Sequence, residues 1–131
     1  MKELIESIYS HFATGTNSLK TATAGRLEYG KGVDGWTDNF ATYQANSANA
    51  DDAFRTSMDE TYWQINLFSS VRETCFDLLS YATSLFDNAT LTVTSHYPVL
   101  IHKENVVPPI WNEQDNLWQA TIEFRCRLQH T

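Results

Sequence analysis

Cysteine is scarce in this chain: Cys75 and Cys126 are the two present. That excludes a small disulfide-built scaffold, which needs several bridges. Both fall at core-facing positions of periodic segments, so the sequence predicts two buried reduced thiols rather than reactive or bridged ones. Basic residues are also few, nine against sixteen acidic ones, for a formal net charge of −7. They are scattered, which excludes the clustered cationic surface needed to grip a phosphate backbone or an anionic membrane. No stretch is apolar for long enough to cross a bilayer. The opening MKELIESIYS is amphipathic rather than continuously apolar, so it does not read as a signal peptide, and a reducing cytoplasm is the expected compartment. Catalytic and metal motifs are lacking too. His11, His96, His102 and His130 have no ligand spacing, and no serine sits in a G-x-S-x-G elbow.

Several features imitate sites without the context a site needs. Gly30, Gly32 and Gly35 match G-x-G-x-x-G, but no parallel β-α-β context surrounds them and the next segment reads as a strand. Asp51-Asp52 and Asp59-Glu60 pair carboxylates on polar turns, where nothing promises the burial that shifts a pKa. Asn88-Ala89-Thr90 reads as a helix-to-strand turn. The residues therefore point to no enzyme, no cofactor and no metal.

What is present is a strong structural pattern. From Trp118 to Leu128, apolar side chains alternate with polar ones without a break, the mark of a strand with one dry and one wet face. Such a strand belongs to an antiparallel sheet covered on one side. Tyr62–Phe68 alternates in the same way. Leu4, Ile5, Ile8, Tyr9 and Phe12 give a helix over Lys2–Ala13, with a short helical turn expected around Ser18–Ala24. Ser70 and Glu73 fit a capping box opening a helix over Ser70–Phe86. Weaker strands are expected at Arg26–Tyr29, Phe40–Ala48 and Thr90–Ser95, the last extending past Pro98 toward Ile101. Gly30–Asn39 reads as a loop carrying Trp36, Asn46–Asp52 as a polar turn, and Lys103–Asn116 as irregular, because Pro108 and Pro109 exclude a central strand. At 131 residues the expectation is one α+β domain over 1–131. Its mainly antiparallel sheet has four to five strands, with two helices packed on one face.

The apolar, proline-stiffened run Val106–Trp111 fits two readings. It either folds back over the domain's own sheet edge or presents a preorganised patch to a protein partner, with Trp111 as anchor.

The order of elements and several strings resemble the tail terminator, or tail-completion, proteins of long-tailed bacteriophages. The likeness rests on a short N-terminal helix, Gly25-Arg26-Leu27-Glu28-Tyr29-Gly30, a glycine-bearing loop into FATYQ, and YWQINLFSS feeding a helix. An LTVT strand and the closing LWQATIEFRCRL complete it. The sequence departs in having Asn39-Phe40 where many relatives have a proline-aromatic pair, and in its proline-rich stretch before the last strand. The resemblance implies a structural virion protein, assembled in the host bacterial cytoplasm into a homo-oligomeric, hexameric ring. Such a ring caps the tail tube, stops its polymerisation and meets the head-completion or connector protein, while DNA passes without specific binding. Net negative charge suits that passage. Trp36, Asp51, Asp52, Pro108, Pro109, Ile110 and Trp111 are the interface candidates. Another head–tail adaptor, or a small α+β ligand-binding domain or enzyme with aromatics around an internal cavity, stays open at this point.

Overall fold

The computed structural model describes residues 2–32, 35–51, 58–129 and 131, with the backbone alone for 47–51 and 58–59. The helices are α1 (Lys2–Ala13), α2 (Ser18–Ala22) and α3 (Arg72–Phe86). The strands are β1 (Leu27–Tyr29), β2 (Phe40–Asp51), β3 (Met58–Ser69), β4 (Thr90–Leu91), β5 (Val99–Asn112) and β6 (Leu117–Gln129). The strands form one sheet in the order β1-β2-β3-β6-β5-β4. Neighbours are antiparallel except β1 and β2, which run parallel. The expectation of four to five strands and two helices is therefore corrected to six strands and three helices among the described residues. The added strand is β5, most of which lies in the stretch read as irregular, and the added helix is α2, expected as a short helical turn.

The long elements form for the reasons their periods give. Leu4, Ile8 and Phe12 recur at helical spacing and are buried on α1. Cys75, Leu78, Ala82 and Phe86 do the same on α3. The inner face of β6 buries Ala120, Ile122, Phe124, Cys126 and Leu128, and Trp63, Ile65 and Leu67 of β3 sit opposite Phe124, Ile122 and Ala120. All three helices and these strands feed one apolar cluster. At its centre Trp63 stacks on Phe124 at 4.7 Å, with Phe86 edge-on to Trp63 at 5.1 Å. Cys75 and Cys126 are both buried and free. Burial raises their thiols from 9.0 to about 11 and about 12.

Local chemistry departs from the sequence reading in four places. Glu73 and Ser70 form no capping box: Val71 is the N-cap of α3 and makes no side-chain cap bond. Ser69 Oγ instead accepts from the Val71 amide and donates to Asn39 Oδ1, and Ser70 Oγ hydrogen-bonds Asp38 Oδ1. The helix start is thus tied to the loop before β2. The Thr90–Ser95 strand shortens to Thr90–Leu91 and does not run on to Ile101: Val99 opens a separate strand, β5, which pairs antiparallel with β4. Asn46–Asp51 is strand rather than turn, since a bulge between Ala45 and Ser47 lets β2 continue to Asp51.

The largest correction is Lys103–Asn116. Most of it is the second half of β5, paired with β6 as far as Asn112. Two register shifts, at Lys103/Asn105 and Val107/Ile110, absorb the irregularity. Among the described residues, no strand pairs on the other side of β5 beyond Leu100. Proline is tolerated at a bulge on such an edge, because no ladder donor is lost.

Candidate interaction surfaces

The sheet sorts the sequence-predicted residues to two ends. Trp36 and the Pro108–Trp111 run lie toward the end where β2 and β6 begin. Asp51 closes β2 at the other end, paired with Met58, which in turn pairs with Gln129. Asp52 and His130 lie outside the described residues.

The first region is an arm, the β5–β6 hairpin beyond Asn105. Cross-strand partners share a face. Val106 opposite Ile122 and Trp111 opposite Trp118 therefore look to the helix side, while Val107 opposite Thr121 and Ile110 opposite Gln119 look to the other. All four are exposed, Ile110 at 58% and Trp111 at 46%. Trp111 meets Trp118 edge-on at 5.6 Å. The Arg72 guanidinium lies 5.9 Å from the Trp118 ring centre, within cation–π range. Trp111 is thus half engaged with its own fold and half free. Val71 and Phe76 add exposed apolar surface at the start of α3. The sequence signal for Phe76 was its position outside the Cys75–Leu78–Ala82–Phe86 stripe.

The second region is the strap over the sheet face that no helix covers. Residues of the Gly30–Asn39 loop close over Phe40, Phe68 and Leu117, which form a small second apolar cluster with Trp36 packed on it. Phe40 and Phe68 stack at 4.7 Å and 13°, and Trp36 leans on Phe40 at 5.5 Å. A cleft of about 310 Å³ runs beneath the strap, with Thr42 and Asn66 among its lining. The glycine triplet leads into β2, a strand, so the context of a phosphate-binding loop is missing. Gly32 is needed for packing: a Cβ there would sit 2.8 Å from Phe40 Cε2.

The third region is the rest of that uncovered face, a cross-strand network of amides and ions. Asn66, only 6% exposed, is its hub. Its Oδ1 accepts from Gln64 Nε2 at 2.8 Å and Thr121 Oγ1 at 2.9 Å, and its Nδ2 donates to Thr42 Oγ1 at 3.2 Å. Toward the Asp51 end, Arg125 pairs with Glu104 at 2.7 Å, and Glu60 lies within 4 Å of Arg125 and Arg127. Tyr62 donates to Glu60 at 2.8 Å, which raises the phenol's pKa. These polar side chains partner one another across the strands. Sequence alternation predicted a wet face but not its partners, because register is set by long-range pairing. No group of three or more His, Cys, Asp or Glu that could hold a metal ion occurs among the described residues. No helix among them is long and apolar enough to cross a membrane.

The sequence matches no protein-family profile and no curated protein. Solved structures do share the fold. A chain from the virion of a native gene transfer agent particle superposes with a TM-score of 0.75 at 12% identity, covering 96% of this chain and 94% of that one. A second solved chain superposes with a TM-score of 0.67 at 11% identity, over 100% of this chain and 97% of the other. At these identities the likeness is one of fold, and it extends over essentially the whole of each chain.

Proposed function

We propose that this chain is a structural virion protein of the tail terminator kind. It acts as a single domain that assembles into a hexameric ring on the end of the tail tube, stops the tube growing and meets the head connector. The observation that carries this reading is the fold likeness to a chain of a virion particle over 96% of this chain.

A ring of identical subunits needs two different patches on each. The β5 arm supplies one set of exposed anchors, Ile110 and Trp111, on a segment that Pro108 and Pro109 stiffen before contact, which lowers the entropy lost on docking. Trp36 on the strap and the end of β2 at Asp51 contribute to the remaining contacts with the next subunit, the tube protein or the connector, as does Asp52, which lies outside the described residues. The internally satisfied amides of the uncovered face, in a chain of net charge −7, leave little to hold a passing DNA duplex.

The test is to add the purified protein to polymerising tube protein. Tubes of arrested length with a ring of this protein at one end are expected. Tubes that grow as if nothing had been added would remove the reading.

A further inference from the structure

We infer that Pro108 and Pro109 form a guard that keeps the open edge of β5 from adding a strand of a second copy of this chain. The sheet has two edges, and the first half of the β5 edge is already closed. Val99 and Leu100 pair with β4. The Ile101 amide donates to Ala89 O, and the Ile101 carbonyl accepts from the Asn88 amide. The Lys103 amide donates to Asp87 Oδ1.

Past Lys103 no strand among the described residues pairs with the edge, and the pairing shows which groups face it. Ile101 and Lys103, whose amides point to the edge, sit opposite Cys126 and Phe124. The alternating positions opposite Ile122, Ala120 and Trp118 continue that phase. Val106 and Trp111 hold the first and last of these. The middle one, opposite Ala120, falls within the Val107/Ile110 register shift and is filled by Pro108 and Pro109. Proline has no N–H, so the edge offers a donor at Val106 and at Trp111 and none between. The shift also breaks the spacing that a regular incoming strand would need.

The surrounding sequence explains why a guard is needed. Val106–Trp111 is an uncharged apolar hexapeptide with exposed side chains on both faces of the sheet. Without its prolines it would match the segments that stack into intermolecular sheets. The nearest charges on the strand, Lys103 and Glu104, lie before it, and Glu104 is taken up by Arg125. Contacts through this arm are therefore made by inserted side chains and not by strand addition. The guard is independent of the ring reading, because its assay contains this chain alone.

The test is the double variant Pro108→Val/Pro109→Val in the full-length chain, followed by light scattering and thioflavin T fluorescence against concentration. At least a tenfold rise in thioflavin-positive material over the parent is expected, with near-ultraviolet dichroism of the remaining soluble fraction unchanged. Adding Val106→Lys to the double variant places a charge on the edge and is expected to return it to the parent's state. A folded double variant that associates no more than the parent would overturn the inference, as would association that Val106→Lys does not reverse. The parent gives a check that requires no variant. In hydrogen exchange the amides of Val106 and Trp111 are expected to exchange as open groups while those of Val107 and Ile110 are protected. Protection at Val106 and Trp111 in the isolated chain would equally overturn it.

Discussion

Trp111 sits across the β5–β6 ladder from Trp118, its ring 5.6 Å away and inclined at 72°. Trp118 is the half that belongs to the fold: it packs against the main core and carries Arg72 on its ring. Trp111 is the partner that remains about half exposed.

That division gives Trp111→Ala two separable effects. Losing the edge-on pair is expected to cost the isolated chain about 1 kcal/mol. Losing an interface anchor is expected to cost association about 2 kcal/mol. Thermal unfolding and tail-capping assays on the one variant read the two effects. A destabilised variant that still caps tails would take Trp111 out of the interface and leave it as cover for its own sheet.

The strap depends on Gly32. Gly32→Ala places a methyl 2.8 Å from the Phe40 ring, which is stacked on Phe68 in a closed cluster. Overpacking of this kind is expected to cost about 1–3 kcal/mol, read as a lower urea midpoint. An unchanged midpoint would mean that the strap yields freely and does not hold Trp36 in place.

Asn66→Ala removes the hub of the uncovered face, leaving Thr42, Gln64 and Thr121 each without a partner they now have. A loss of about 1–3 kcal/mol is expected, since the amide is nearly buried and its neighbours cannot all turn to water. Denaturant unfolding checks this. A neutral result would show that the network rearranges around the gap.

Stability is expected to fall on the alkaline side. Burial raises Cys126 from 9.0 to about 12 and Cys75 from 9.0 to about 11. Burial, with Glu28 nearby, raises Tyr43 from 10.0 to about 12. Between pH 9 and 12 the unfolded chain sheds protons that the folded chain keeps, so this contribution is complete below pH 9 and is lost as pH rises toward 12. Urea midpoints across that range should decline, with a shallower slope in Cys126→Ala. A flat profile would contradict the buried, protonated state of these groups.

The sequence made legible those elements whose period is read locally. The inner face of β6 and the stripes of α1 and α3 follow directly from side-chain spacing. What it obscured depended on pairing at a distance. Pro108 and Pro109 read as strand breakers because proline's missing donor matters only on the side facing a neighbour, and only the sheet order shows that their side faces none. Alanine, asparagine and serine hid the far half of β2, which β3 holds in register despite weak propensity. Ser70 and Glu73 fitted a capping pattern, but Asp38 and Asn39, distant in sequence, engage Ser70 and Ser69 instead. Of the candidate site, the sequence left Trp111 either covering its own sheet edge or facing a partner, and the structure leaves it about half exposed. Its pairing with Trp118 and the Asn66 hub required the register.

The proposal that this protein ends the tail tube is tested by electron microscopy of particles assembled with and without it. Without the protein, tubes of uncontrolled length that fail to join filled heads are expected, with normal particles restored when the protein is supplied. Particles of normal tail length, joined to their heads in its absence, would contradict it.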